Sequence, residues 1–263
     1  MCEVITIANQ KGGVGKTTTA VNLAAFLATS EKRVLFIDCD PQANATTAFG
    51  IRRNEVQIDA YHVLSGSKKI SQVIIRLDEI PYLDLVPANI GLAGFEKDFY
   101  SKKNNGQTML RNKIEEVKNN YDFIIIDSPP ALGALTVNAL VASDSIIVPI
   151  QCEFYALEGL AQLLNTVKVI KDTSNPDLSI RGFLPTMFVS QHNLSRQVLD
   201  DLSQHFGDKL FRHTKKREEY IIVPRNVRLA ESPSFGKPIL FYDAKSSGSI
   251  AYQNLAEFIL EGA

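Results

Sequence analysis

Residues 4–18 read Val-Ile-Thr-Ile-Ala-Asn-Gln-Lys-Gly-Gly-Val-Gly-Lys-Thr-Thr. An apolar run passes into a turn with glycines at 12, 13 and 15, and the pattern predicts a helix opening at Lys16. Glycine has no Cβ, so the backbone of Gly12, Gly13, Val14 and Gly15 can curl tightly and aim N–H groups inward. The helix adds the positive end of its dipole. Together these make a cradle for phosphate oxygens. Lys16 can reach β- and γ-phosphates, the Thr17 hydroxyl can coordinate Mg²⁺, and Thr18 can contact an α-phosphate. The pattern G-x-x-x-x-G-K-[S/T] is met from Gly15 onward; Gln10 stands at its first glycine, and a second lysine, Lys11, precedes Gly12.

Two sets of carboxylates follow apolar runs. Val34–Ile37 leads into Asp38-Cys39-Asp40-Pro41-Gln42, and Phe123–Ile126 leads into Asp127-Ser128-Pro129-Pro130. A lone aspartate after a strand is ordinarily a turn former or a helix cap. Two such positions in register with a phosphate loop point to chemistry instead, because open α/β sheets bind ligands beyond the carboxyl ends of their strands. Asp127 is expected to hold Mg²⁺ through a water. Cys39 is expected to be a small buried side chain. His192, His205 and His213 have no metal-site spacing and receive no role.

These groups need a rigid frame, and the chain has the material for one. Of 263 residues, 45% are hydrophobic and 22% charged, enough for a buried core and too apolar for disorder. Strands are predicted at Val4–Ile7, Val34–Ile37, Leu83–Val86, Phe123–Ile126 and Ile146–Ile150. They are short, near-continuous apolar runs, the mark of parallel strands covered on both faces. Ile180–Val189 is a further candidate, pushed to a sheet edge by Pro185. Apolar residues at spacings of three and four predict helices through Leu110, Ile114 and Val117, through Leu157, Leu160, Ala161, Leu164 and Val167, and through Ala251, Leu255, Phe258 and Ile259. Ser101–Gly106 is expected to be a polar surface loop. The alternation predicts a doubly wound, mostly parallel α/β sheet with helices on both faces, in a single domain over 1–263. No apolar run is long enough to span a bilayer, and three cysteines (Cys2, Cys39, Cys152) are too scattered for a disulfide framework. Glu3 and a short apolar run do not make a secretory signal, so the expected compartment is the reducing cytoplasm. The net charge of −1 hides a stretch from Lys209 to Lys245 with nine basic and four acidic residues. A local basic field on an acidic body suggests a polyanionic partner.

Lys-Gly-Gly-Val-Gly-Lys-Thr-Thr (11–18) resembles the deviant Walker A motif of the ParA/MinD group of P-loop ATPases. The resemblance implies the P-loop NTPase fold, ATP with Mg²⁺, and a nucleotide-sandwich homodimer in which Lys11 reaches the phosphates bound by the other subunit. A cation supplied in trans would neutralise charge developing on the transferred phosphoryl group. By the same match Asp40 orients the attacking water, Asp38 sits near Mg²⁺ and its waters, Asp127 is the Walker B carboxylate, and Ser128-Pro129-Pro130 is a switch element. The segments 193–198, 222–239 and 242–248 are similar to the chromosome-partition branch, ParA or Soj, so the resemblance covers nearly the whole chain. It implies a weak ATPase, a ParB-type partner that stimulates it, and ATP-dependent, sequence-nonspecific binding to double-stranded DNA on the nucleoid. Arg228 matches a DNA-contacting arginine of that branch. Arg196, Lys215, Lys216, Arg225 and Lys245 are further candidates on a basic face from about 190 to 245. Gln191 stands where relatives carry a second such arginine. Pro224 and Asn226 are nominated to receive the adenine, with Met187 lining the same pocket. Plasmid relatives carry an N-terminal DNA-reading domain, for which a first strand beginning at Val4 leaves no room.

Three other activities could use the same loop. A MinD-like membrane positioner ends in a basic amphipathic helix, whereas Ser249–Ala263 carries Glu257 and Glu261 and no Lys or Arg. A reductase resembling nitrogenase iron protein needs paired cluster-ligating cysteines, which Cys2, Cys39 and Cys152 do not provide. A small-molecule kinase or synthase would use the same loop with an acceptor pocket.

Overall fold

The computed structural model describes residues 2–101, 106–153 and 156–262. Most of the expected Ser101–Gly106 loop lies outside those residues, as does the side chain of Leu157 in the expected stripe. The strands are β1 (Glu3–Ile7), β2 (Val34–Asp38), β3 (Ile75–Arg76), β4 (Leu83–Val86), β5 (Phe123–Asp127), β6 (Ser145–Gln151) and β7 (Ser179–Thr186). The helices are α1 (Lys16–Thr29), α2 (Asn44–Ala48), α3 (Ala60–Ser65), α4 (Phe95–Ser101), α5 (Met109–Glu115), α6 (Ala134–Ala142), α7 (Ala156–Thr173), α8 (Asn193–Phe206), α9 (Val227–Glu231), α10 (Ile239–Tyr242) and α11 (Ser247–Glu261).

The strands form one sheet in the order β3-β4-β2-β5-β1-β6-β7. All pairings are parallel except β3 with β4. The doubly wound, mostly parallel expectation is therefore met, with one antiparallel edge strand that the sequence reading did not anticipate. β7 occupies the other edge, where Pro185 is tolerated. The central strands are apolar throughout because both faces are covered. Val4, Leu35, Ile124 and Ile126 pack with α3, α5 and α6 on one face. Ile5, Ile7, Phe36 and Ile125 pack with α1 and α11 on the other. Val148, Ile150 and Phe183 pack with α7 and α8.

The register fixes what meets at the carboxyl edge. Ile7 pairs with Asp127, and Asp127 with Asp38, so the exit of β1 and two aspartates share one rung across three adjacent strands. β1 lies between β5 and β6, and the chain leaves it to form β2 beyond β5. That reversal in strand order opens the crevice into which the loop after β1 projects.

Candidate active site

The loop after Ile7 begins with a clamp. Asn9 is buried; its Nδ2 donates to the Pro149 carbonyl at 2.7 Å and its Oδ1 accepts from the Lys11 N–H at 3.0 Å. Gly13 and Gly15 take φ of 75° and 90°, left-handed values that a side chain would strain. Gly15 then stands at the N-cap of α1, which begins at Lys16. Between the two glycines Val14 is buried, and its carbonyl accepts from the Thr186 hydroxyl at 2.8 Å. Thr186 thus pins the loop to the end of β7.

Lys16 is buried and folds back over the loop, its Nζ donating to the Lys11 carbonyl at 3.1 Å. Burial lowers the pKa of its ammonium, and the charges of Asp127 and Asp40 oppose that shift. A cation this desolvated, with backbone N–H groups beside it, is poised for an anion. Lys11 points elsewhere: its Nζ lies 3.7 Å from Glu153 Oε2, with the side chain 31% exposed.

The carboxylates differ sharply in how they are held. Asp38 is fully buried and committed to protein donors. Its Oδ1 accepts from the Asp40 N–H at 3.1 Å; its Oδ2 accepts from the Thr46 N–H at 2.9 Å and the Thr46 hydroxyl at 2.7 Å. Burial pushes the Asp38 carboxyl up to about 6 against those hydrogen bonds. Asp40 is nearly buried and accepts from the Gln42 N–H at 2.9 Å. Asp127 is fully buried, yet neither of its oxygens has a hydrogen-bond partner of ordinary geometry. Burial and the neighbouring Asp38 raise its pKa well above the carboxylate range, while the nearby Thr17 hydroxyl and Lys16 favour the charged form. Buried carboxylate oxygens left open are costly unless something cationic meets them. Thr17 and Asp127 fit a Mg²⁺ ion, which takes few protein ligands and keeps several waters. Among the described residues no three His, Cys, Asp or Glu side chains converge as an all-protein metal cage. Cys39 is buried between the two aspartates, and burial holds its thiol well above the ordinary range.

A cavity of about 350 Å³ adjoins the loop. It brings Met187, Pro224 and Asn226 together with Gly15 and Thr18. Asn226 already caps α9, its Oδ1 accepting from the N–H groups of Arg228 (2.8 Å) and Leu229 (3.3 Å), while its Nδ2 donates to Ser247 Oγ. Met187 takes φ of 52°, turning its backbone at the cavity wall. Thr186, Leu229, Ala230 and Tyr252 also line the cavity and were not singled out on sequence. Tyr252 does follow Ala251 in the α11 stripe; the other three carried no spacing signal.

The basic candidates do not behave alike. Arg228 is exposed but paired, its Nη1 3.1 Å from Glu231 and its Nε 3.6 Å from Asp243. Tyr242 donates to the same Glu231 oxygen at 3.0 Å. Lys216 pairs with Glu219 at 3.1 Å, and Arg196 bonds Asn193 within α8. Lys215 and Lys245 are exposed. Arg225 lines the cavity beside the loop, whereas Lys215 and Lys216 line a different hollow against α11.

Residues 2–180 match the family model described as an AAA domain. The sporulation initiation inhibitor protein Soj of Bacillus subtilis is 48% identical over 257 residues, 98% of each chain. The chromosome partitioning protein ParA of Caulobacter vibrioides is 45% identical over 264 residues, 98% of this chain and 93% of that protein. Among solved structures, cobyrinic acid a,c-diamide synthase from Mycobacterium smegmatis with bound ADP and magnesium superposes with a TM-score of 0.84 at 34% identity, covering 99% of this chain and 95% of that one. With a phosphate loop, two strand-end aspartates and near-full-length identity of this order, the chain belongs to the ParA/Soj family of chromosome-partitioning P-loop ATPases.

Proposed function

We propose that the protein is an ATP-dependent dimerising switch that binds DNA without sequence preference and acts in partition with a ParB-type partner. One observation carries the reading: buried Lys16 and the open oxygens of buried Asp127 face a glycine cradle, so the site is built for a triphosphate and a divalent cation and is electrostatically incomplete without them. In this reading the loop amides of residues 12–16, Lys16, Thr17 and Thr18 hold the phosphates. Thr17 and Asp127 would hold Mg²⁺, which supplies charge neutralisation on the phosphate oxygens, and Asp38 sits behind them near its waters. Asp40 orients the attacking water, and the cavity beside Met187, Pro224 and Asn226 receives the base. Lys11 must leave its own Glu153 to serve a second subunit, so dimerisation exchanges one ion pair for contact with the partner's phosphates. The whole chain, 1–263, acts as one unit whose basic residues between about 190 and 245 face the nucleoid DNA.

The MinD-like alternative fares worse. Membrane association through α11 would need a free apolar face, and that helix turns most of its apolar stripe into the protein's own core: Tyr252, Leu255 and Ile259 are at most 1% exposed. Among the described residues no helix is long and apolar enough to cross a membrane. A synthase reading is favoured only by the 34% identical solved structure, against 48% for Soj. Turnover assayed with and without DNA separates the two: stimulation by DNA and a ParB-type protein supports the switch, whereas rapid DNA-indifferent turnover supports the synthase.

Arg228→Ala tests the DNA face. The variant is expected to bind any duplex sequence about tenfold more weakly at moderate salt and to lower the log–log salt slope by roughly one. Fluorescence anisotropy on two unrelated duplexes across a salt series measures both. Unchanged affinity removes Arg228 from the contact set, and a loss on one sequence alone contradicts nonspecific binding.

A further inference from the structure

The loop that carries Asp40 has two anchors, and both end on one carboxylate. Asp38 Oδ1 accepts from the Asp40 N–H at the start of the loop. Asp38 Oδ2 accepts both the N–H and the hydroxyl of Thr46, in α2, at its end. The Thr46 hydroxyl in turn accepts from the Ala88 N–H at 3.0 Å, just beyond β4. A hydroxyl has one hydrogen, and with Ala88 occupying a lone pair that hydrogen is aimed at Asp38. Thr46 is fully buried, so water cannot substitute. Between the anchors Ala43 takes φ of 52°, and its N–H bonds the Asp40 carbonyl at 2.8 Å, closing the loop on itself. Asp38 also shares its rung with Asp127, the other fully buried carboxylate at this edge of the sheet.

We propose that Thr46 is a positioning residue: its hydroxyl locks Asp38 and thereby sets the place of Asp40 relative to the phosphate loop. Thr46 touches neither the cradle nor the cavity that would take the base. Its effect is on the hydrolytic step, and the proposal rests on the ATPase reading above. Because Asp38 is satisfied by three protein donors while Asp127 is left open, the two buried carboxylates divide the work. Asp127 faces the ligand, and Asp38 with Thr46 braces the loop that must hold still during hydrolysis.

Thr46→Val keeps the shape and removes the hydroxyl; Thr46→Ser keeps the hydroxyl and removes a methyl. The full-length variants are compared in steady-state ATP hydrolysis, in binding of a fluorescent ATP analogue, and in amide exchange of the nucleotide-free protein. Thr46→Val is expected to lower kcat at least tenfold with KM and analogue affinity within about twofold, and to speed exchange at residues 40–46 at least tenfold while β5 is unchanged. Thr46→Ser is expected to restore kcat and protection to within about threefold of wild type. Wild-type kcat in Thr46→Val, equal damage in Thr46→Ser, or a parallel loss of nucleotide affinity overturns the proposal. If Thr46→Val does not fold, Thr46→Cys, a weak donor of similar size, takes its place and must fall at least threefold below Thr46→Ser; equality overturns the proposal. If the wild type itself hydrolyses no ATP, the ATPase reading falls, while the exchange comparison still decides whether Thr46 braces the loop.

Discussion

Lys16→Ala will weaken nucleotide binding by roughly 100-fold or more and, with it, remove ATP-dependent retention on DNA. The wild-type ammonium is buried at the loop, bonded to the Lys11 carbonyl, and favoured by the charges of Asp127 and Asp40 against its burial. A buried cation meeting phosphate oxygens makes charge-assisted hydrogen bonds of about 1.5–3 kcal/mol each. Losing about 3 kcal/mol corresponds to roughly 100-fold in affinity. The substitution also leaves Asp127 and Asp40 without their nearby cation, which further disfavours an incoming anion. Titration with a fluorescent ATP analogue measures the loss directly. The fold should survive, because the neighbouring α1 contacts of Ala20, Leu23 and Leu27 are untouched. A variant that binds the analogue as wild type does would take Lys16 out of the phosphate site.

Asp40→Ala separates binding from turnover. Asp40 is held by its own backbone, with Oδ1 on the Gln42 N–H and its N–H on Asp38, so its carboxylate is fixed beside the loop without being a cornerstone of the core. If it positions the attacking water, its loss should cost at least about 100-fold in kcat, the scale of a general acid–base contribution. Affinity for ATP should remain within a few-fold. The ATP-loaded dimer should then accumulate and stay on DNA, while the wild type should be released as it hydrolyses. Nucleotide-chase release from immobilised DNA reads this out. An Asp40→Ala protein that hydrolyses normally, or that never reaches the dimer, contradicts the role given to it.

The sheet was readable from sequence because its central strands are covered on both faces. Such strands have no polar alternation to hide them, and Val34–Ile37 and Phe123–Ile126 stand out as unbroken apolar runs. β3 was invisible for the opposite reason: two residues, one of them Arg76, leave no pattern. The phosphate loop was readable because its conformation requires particular residue types, and the left-handed φ values at Gly13 and Gly15 are where that requirement lies. Contacts made across long sequence separations were not readable. Thr186 reaches Val14 across 172 positions, and Ala88 reaches Thr46 across 42. Neither threonine sits in a motif; each matters only because the fold brings another segment to it. The basic stretch was legible as composition, but not the pairing of Arg228 with Glu231 and Asp243, two acidic neighbours that any incoming phosphate would have to displace.

The switch proposed for this chain depends on the triphosphate joining two copies through Lys11. The direct measurement is the molar mass of the Asp40→Ala protein by light scattering, with Mg–ATP, with Mg–ADP and without nucleotide. The Mg–ATP form is expected at about twice the 29.1 kDa of one chain, with the other two at 29.1 kDa. Adding Lys11→Ala to the same background should return the Mg–ATP form to monomer while leaving nucleotide affinity within a few-fold. A monomer in saturating Mg–ATP, or a dimer that persists without Lys11, would contradict the account.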